Sequence, residues 1–184
     1  SSGLGAITDN NGDDDNVIAD DLVLSAVEGI GDGDALETEV NSLNATNTIS
    51  GNIEIDNTGD LVVVSVTTPG DVIITVSSSI LDDTNETNYV LGNIVTLSAT
   101  EDIGSSGDGD IDTDANTITA SAGGDIYLEE LDGAEFNPIT AGGLANILAH
   151  GSSILGTVTA TNNFTFRTTS GAVSYTHLRA HETG

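Results

Sequence analysis

Asp21-Leu22-Val23-Leu24-Ser25-Ala26 returns 73 positions later as Ile94-Val95-Thr96-Leu97-Ser98-Ala99. Leu24, Ser25, Ala26, Glu28, Ile30 and Gly31 match Leu97, Ser98, Ala99, Glu101, Ile103 and Gly104 at that spacing. Asp32-Gly33-Asp34 reappears as Asp108-Gly109-Asp110 after a three-residue insertion, and Gly51-Asn52-Ile53-Glu54-Ile55 answers to Gly124-Asp125-Ile126-Tyr127-Leu128, again at 73. Residues 21–57 thus match 93–130. Insertions that leave flanking strands in register are what the loops of a solenoid tolerate. Leu22/Leu24/Ala26, Val95/Leu97/Ala99 and Ile53/Ile55 alternate with polar residues, so each segment reads as a strand with one dry and one wet face.

Working outward, a shorter theme appears: Gly followed by Asp or Asn, then an apolar run. It stands at Gly51-Asn52, Gly59-Asp60, Gly70-Asp71, Gly92-Asn93 and Gly124-Asp125. Glycine supplies the backbone freedom of a tight corner, and Asp or Asn bonds to the local backbone there. The pattern predicts an all-β chain, a three-faced β-helical solenoid over residues 1–172. If 73 residues make three coils, each coil is about 24 residues. A β-sandwich or β-roll, which also places Gly-Asp turns before strands, is the alternative.

Composition agrees. The 184 residues include 30 Asp+Glu against 2 Lys+Arg, a net charge of −28, with no Cys, Met or Trp. Hydrophobic residues are 37% of the chain and mean hydropathy is +0.02, so the charge does not signal disorder. Aromatics are only 3%, and small β-branched side chains suit a narrow interior that rings would crowd. Nucleic acid and anionic membranes are excluded as partners, because both are held by clustered Lys and Arg. Thiolate chemistry and Cys-based zinc sites are excluded by the cysteine count.

The start, Ser1-Ser2-Gly3-Leu4, reads as internal to a longer chain. Val173-Ser174-Tyr175-Thr176-His177-Leu178-Arg179-Ala180-His181-Glu182-Thr183 breaks the composition of everything before it. This run resembles the in-frame translation of a transposase-based sequencing adapter, a contaminant of metagenomic assemblies. Residues 173–184 are therefore expected to stand outside the fold. Without them, Arg167 and His150 are the only basic side chains.

Val17-Ile18-Ala19, Leu22 to Ala26, Gly29-Ile30-Gly31, Leu36-Glu37-Thr38 and Ser50 to Ile55 together resemble repeats of large secreted bacterial proteins, the filamentous-haemagglutinin-like adhesins. Asp125-Ile126-Tyr127-Leu128 follows the same pattern, so the resemblance spans about residues 16–136. It implies a right-handed parallel β-helix, export to the cell surface, adhesion or matrix scaffolding, and stacking against adjoining repeats of a longer chain. Its partners would be cell-surface or matrix components. None of the matching motifs is catalytic.

Acidic turns are the main candidate chemistry. Asp32, Asp34, Asp108 and Asp110 recur at equivalent repeat positions and are the best candidates for Ca²⁺, a hard cation that takes oxygen ligands. The run Asp9-Asn10-Asn11-Gly12-Asp13-Asp14-Asp15 is not an EF-hand, because its sixth and twelfth positions are Asp14 and Asp20 rather than Gly and Glu. Solvated turns on an acidic protein are the plainer account of all these sites. No other cofactor and no catalytic residue is expected. A glycosidase needs two carboxylates at a set separation, and acids abound here. Sugar-stacking aromatics are sparse, however, and Arg167 stands alone for holding an acidic sugar. The chain is expected to be a non-enzymatic stalk segment of an extracellular adhesin; the alternatives are a Ca²⁺-dependent adhesive module and, remotely, a carbohydrate-active β-helix.

Overall fold

The computed structural model describes residues 5–87 and 89–178. Its strands are β1 (Val17–Ala26), β2 (Leu36–Asn47), β3 (Ile53–Asn57), β4 (Leu61–Thr67), β5 (Val72–Val76), β6 (Ile80–Asp82) and β7 (Val90–Ala99), followed by β8 (Ile111–Ala122), β9 (Ile126–Glu130), β10 (Glu135–Ala141), β11 (Ala145–Ala149), β12 (Ser153–Ala160), β13 (Phe164–Thr168) and β14 (Val173–Leu178). All strand pairings are parallel. The chain is a parallel β-helix of about 8 turns. At about 4.8 Å per coil the stack is roughly 40 Å long.

Two series of rungs make up the stack. One runs through Leu36–Thr38, β3, β5, the second half of β7, the second half of β8, β10, β12 and β14. The other runs through the second halves of β1 and β2, then β4, β6 with the start of β7, the start of β8, β9, β11 and β13. β2, β7 and β8 serve both series by turning a corner at which two consecutive residues face outward: Asn41/Ser42, Asn93/Ile94 and Asn116/Thr117. That doubled outward step resets the alternation so that both halves of each strand bury their apolar side. Buried Ile, Leu, Val and Ala then run without a break from Leu22 to Ala160.

The Gly-(Asp/Asn) theme marks the corners. Asp32 Oδ2 accepts from the Asn52 N–H (3.2 Å), Asn52 Oδ1 from the Asp71 N–H (3.0 Å), Asp71 Oδ1 from Asn93 Nδ2 (3.0 Å), and Asn93 Oδ1 from Asn116 Nδ2 (3.2 Å). On the opposite corner Asp60 Oδ1 accepts from the Ser79 N–H (3.0 Å), Asp102 Oδ1 from Asp125 (2.7 Å), and Asp125 Oδ1 from Leu144 (2.8 Å). Asp71 Oδ1 also accepts from the Ile94 N–H (3.1 Å), so both ladders satisfy corner backbone amides, and the Asn93 and Asn116 side chains extend the first ladder with bonds between side chains.

These ladders change the meaning of the 73-residue repeat. Three rungs above Ile30, through Ile53 and Val72, lies Val95, not Ile103. Ile103 belongs to the other stack, Leu61–Ile80–Ile103–Ile126. The repeat therefore spans three coils and about a third of a fourth, and returns on a different strand stack. Coils are accordingly shorter than 24 residues in most of the stack; β3 to β5, for example, steps from Ile53 to Val72. Gly31 and Gly104, the matching glycines, have φ of 63° and 66°, and a Cβ there would come within 2.3 Å of Glu54 O and 2.6 Å of Tyr127 O. Both open a loop that carries an Asp-Gly-Asp, the two loops following different strand stacks.

Two expectations need correction. A ring does fit the interior: Phe136 is fully buried, at a stretch where the lining includes Ala134, Ala141, Ala145 and Ala149, whose small side chains leave room. And part of the terminal run is not outside the fold, since Val173–Leu178 pairs with β12 as β14. Parallel pairing uses backbone groups that every residue carries, so an open edge accepts a run of alien composition. Residues 179–184 lie outside the described residues.

Candidate functional site

Alternation in β8 points Asp112 outward, between the core residues Ile111 and Thr113. Yet Asp112 is only 4% exposed. The segment that joins β6 to β7 leaves the stack at Asp82, and its Glu86 meets Asp112; Glu129 of β9 lies in register with Asp112 one coil on. One carboxylate oxygen from each of Glu86, Asp112 and Glu129 lies within 4.8 Å of the other two. No hydrogen bond reaches the Asp112 carboxylate among the described residues. Burial, followed by the charges of Glu86, Asp82, Asp110 and Glu129, pushes its pKa up to about 7.

Around this trio runs an open groove of about 270 Å³ lined by Glu86, Asp108, Asp110, Glu129, Asn146 and Arg167, among others. Asp110 is half-buried there, and burial with the charge of Glu129 raises its pKa to about 6. His150 Nε2 lies 2.7 Å from Glu129 Oε1, and its Nδ1 lies 2.9 Å from Thr169 Oγ1. This is the only ion pair among the described residues, so Arg167 lines the groove without closing on a carboxylate.

Of the four aspartates expected to hold Ca²⁺, Asp108 and Asp110 thus border one groove. Asp32 and Asp34 sit beside a different strand stack, exposed, with Asp32 pinning the corner at Asn52 and the Asp34 N–H bonded to Gly31 O. The structure does not bring the two pairs together. Glu86, Asp112 and Glu129 were missed because their meeting depends on where an inserted loop lands. The one sequence signal was the cluster Asp82-Asp83-Thr84-Asn85-Glu86, an acidic insertion between two apolar runs.

A second acidic group, Asp114, Glu130 and Asp132, differs in kind. Glu130 is fully buried, but its Oε2 accepts from Thr113 Oγ1 (2.7 Å) and its Oε1 from the Ala115 N–H (3.4 Å). Asn57, 73 positions earlier, does the same work: Oδ1 accepts from Thr38 Oγ1 (2.8 Å) and from the Val40 N–H (3.0 Å). Glu130 therefore fills the place of a structural amide, and burial pushes its pKa up to about 7.

No protein-family model, curated protein or solved structure matches this chain. The reading of its role rests on its own geometry.

Proposed function

We propose that the chain is a non-enzymatic stalk segment of a large exported bacterial surface adhesin, acting in cell adhesion or matrix scaffolding. The observation that carries this reading is the unbroken stack: every coil is hydrogen-bonded along its length to the coils beside it, over one continuous apolar core. A rod of that kind gains length by adding coils and transmits load through many parallel backbone bonds at once. The acidic outer surface suits an extracellular setting in which salt screens the charge. Many such segments in one chain would hold weak binding regions away from the cell and let their contacts add.

Single-molecule stretching tests this. A spacer is expected to keep its length under load until whole coils give way in discrete steps. Smooth extension at forces no greater than those that stretch an unfolded chain would count against the reading. A Ca²⁺-dependent adhesive module is the second reading, and the buried Asp112 is the observation that favours it.

A further inference from the structure

We propose that Glu86, Asp112 and Glu129 form a divalent-cation site of the calcium class, which staples the segment between β6 and β7 onto two successive coils. This goes beyond the stalk reading and does not depend on it. Three carboxylates converge within 4.8 Å, one from that segment, one from β8 and one from β9. Convergence of acids alone would say little. What points to a ligand is Asp112, a carboxylate nine-tenths buried and without a hydrogen bond, aimed at the other two.

Burying such a group without a partner is unfavourable, and surrounding it with like charges makes it more so. The charges that press on Asp112 are all carboxylates, Glu86, Asp82, Asp110 and Glu129, and the one basic ring at the trio is His150, whose Nε2 lies 2.7 Å from Glu129 Oε1. The groove's one Arg forms no ion pair there. A cation reverses this balance, turning mutual repulsion into shared coordination. The donors are all oxygens, and one comes from a surface loop that can adjust. That favours Ca²⁺, which takes six to eight oxygens in flexible geometry, over Mg²⁺, which demands a near-ideal octahedron. The remaining positions would fall to water and to second carboxylate oxygens. Glu130 makes a useful contrast: it is more deeply buried, but Thr113 and Ala115 already satisfy it, so it calls for no ion.

The site has a built-in reporter. The Tyr89 hydroxyl donates to Glu86 O (3.2 Å), and burial, followed by the charges of Asp112, Glu129, Asp114 and Glu86, raises its pKa. Tb³⁺, a Ca²⁺ substitute, should therefore luminesce when Tyr89 is excited, in a chain with three Tyr and no Trp. The full chain would be titrated with Tb³⁺ and, by calorimetry, with CaCl₂, at about 0.15 M salt to screen loose condensation. Wild type and the distant control Glu39→Gln, at an exposed position of β2, are expected to show one saturable site. Asp112→Asn and Glu86→Gln should each weaken it by about tenfold or more, and Tyr89→Phe should remove most of the luminescence. Ca²⁺ should also slow hydrogen exchange between β6 and β7 in wild type but not in Asp112→Asn. Glu86 is exposed, so Glu86→Gln reads the site without threatening the fold. The proposal is overturned if Ca²⁺ binds both variants as tightly as wild type, or if no saturable binding survives at that salt.

Discussion

Raising the pH from about 5 to about 8 in the presence of EDTA is expected to lower the stability of this protein, and Glu130→Gln is expected to restore much of the loss. Glu130, Asp112 and Asp110 all have pKa values raised in the folded chain, to about 7, about 7 and about 6. A raised carboxyl holds its proton more tightly folded than unfolded. Its contribution is therefore complete below the ordinary carboxylate range and disappears as pH climbs through the folded value. For Glu130, which is fully buried, the difference is on the order of 3 kcal/mol. The repulsion among the acids of a chain at −28 acts in the same direction. Glutamine keeps acceptors for Thr113 and Ala115 and carries no charge, just as Asn57 does at the matching place. Urea unfolding across this pH range should show Glu130→Gln equal to wild type near pH 5 and more stable near pH 8. Equal curves at both pH values would mean that Glu130 is not a protonated stand-in for an amide.

Phe136→Ala is expected to be the most damaging single truncation of the core. The ring is fully buried, stacked between Ile118 and Leu155 on neighbouring coils, and meets Phe166 edge-on with centroids 5.6 Å apart and planes at 73°. Removing a buried Phe costs about 3–5 kcal/mol, with the cavity adding to the lost transfer energy, and an aromatic pair contributes about 1 kcal/mol more. Against the roughly 5–15 kcal/mol that holds a domain together, that is a large share. Because the fold is a stack of nearest neighbours, the loss should concentrate in the coils around β10 and spare those around β3. Hydrogen exchange reads both. Phe136→Leu, which keeps most of the volume, should cost far less. An alanine variant as stable as wild type would mean that the ring does not sit inside the stack.

The architecture was legible because its two signals are local. Alternation in segments such as Leu22–Ala26 and the Gly-(Asp/Asn) corners both follow from backbone geometry within a few residues. The coil length was not legible. A 73-residue repeat can be split into three whole coils or into three and about a third, and only the pairing of Ile30 with Ile53 and of Ile103 with Ile126 distinguishes them. Sequence alone also marks Asp112 as wet, since alternation says which way a side chain points and not what lies over it. Asp32 and Asp34 looked equivalent to Asp108 and Asp110 because each pair follows a matching glycine, Gly31 or Gly104. The extra third of a coil sets the two loops on different strand stacks. The Phe136 position ran against the compositional expectation because the buried residues of that stretch include small alanines such as Ala134, Ala141, Ala145 and Ala149.

Cysteine cross-linking tests the parallel stack most directly, and the absence of native Cys keeps the background clean. Thr96 of β7 and Thr119 of β8 are register partners with side chains on the outer face. Their Cα atoms should lie about 5 Å apart, within the range a disulfide spans, whereas Thr96 and Thr117, two residues off register, should lie beyond about 7 Å. The account predicts that Thr96→Cys/Thr119→Cys oxidises readily to an intramolecular disulfide and Thr96→Cys/Thr117→Cys does not. Equal cross-linking of the two pairs, or none in the first, would contradict it.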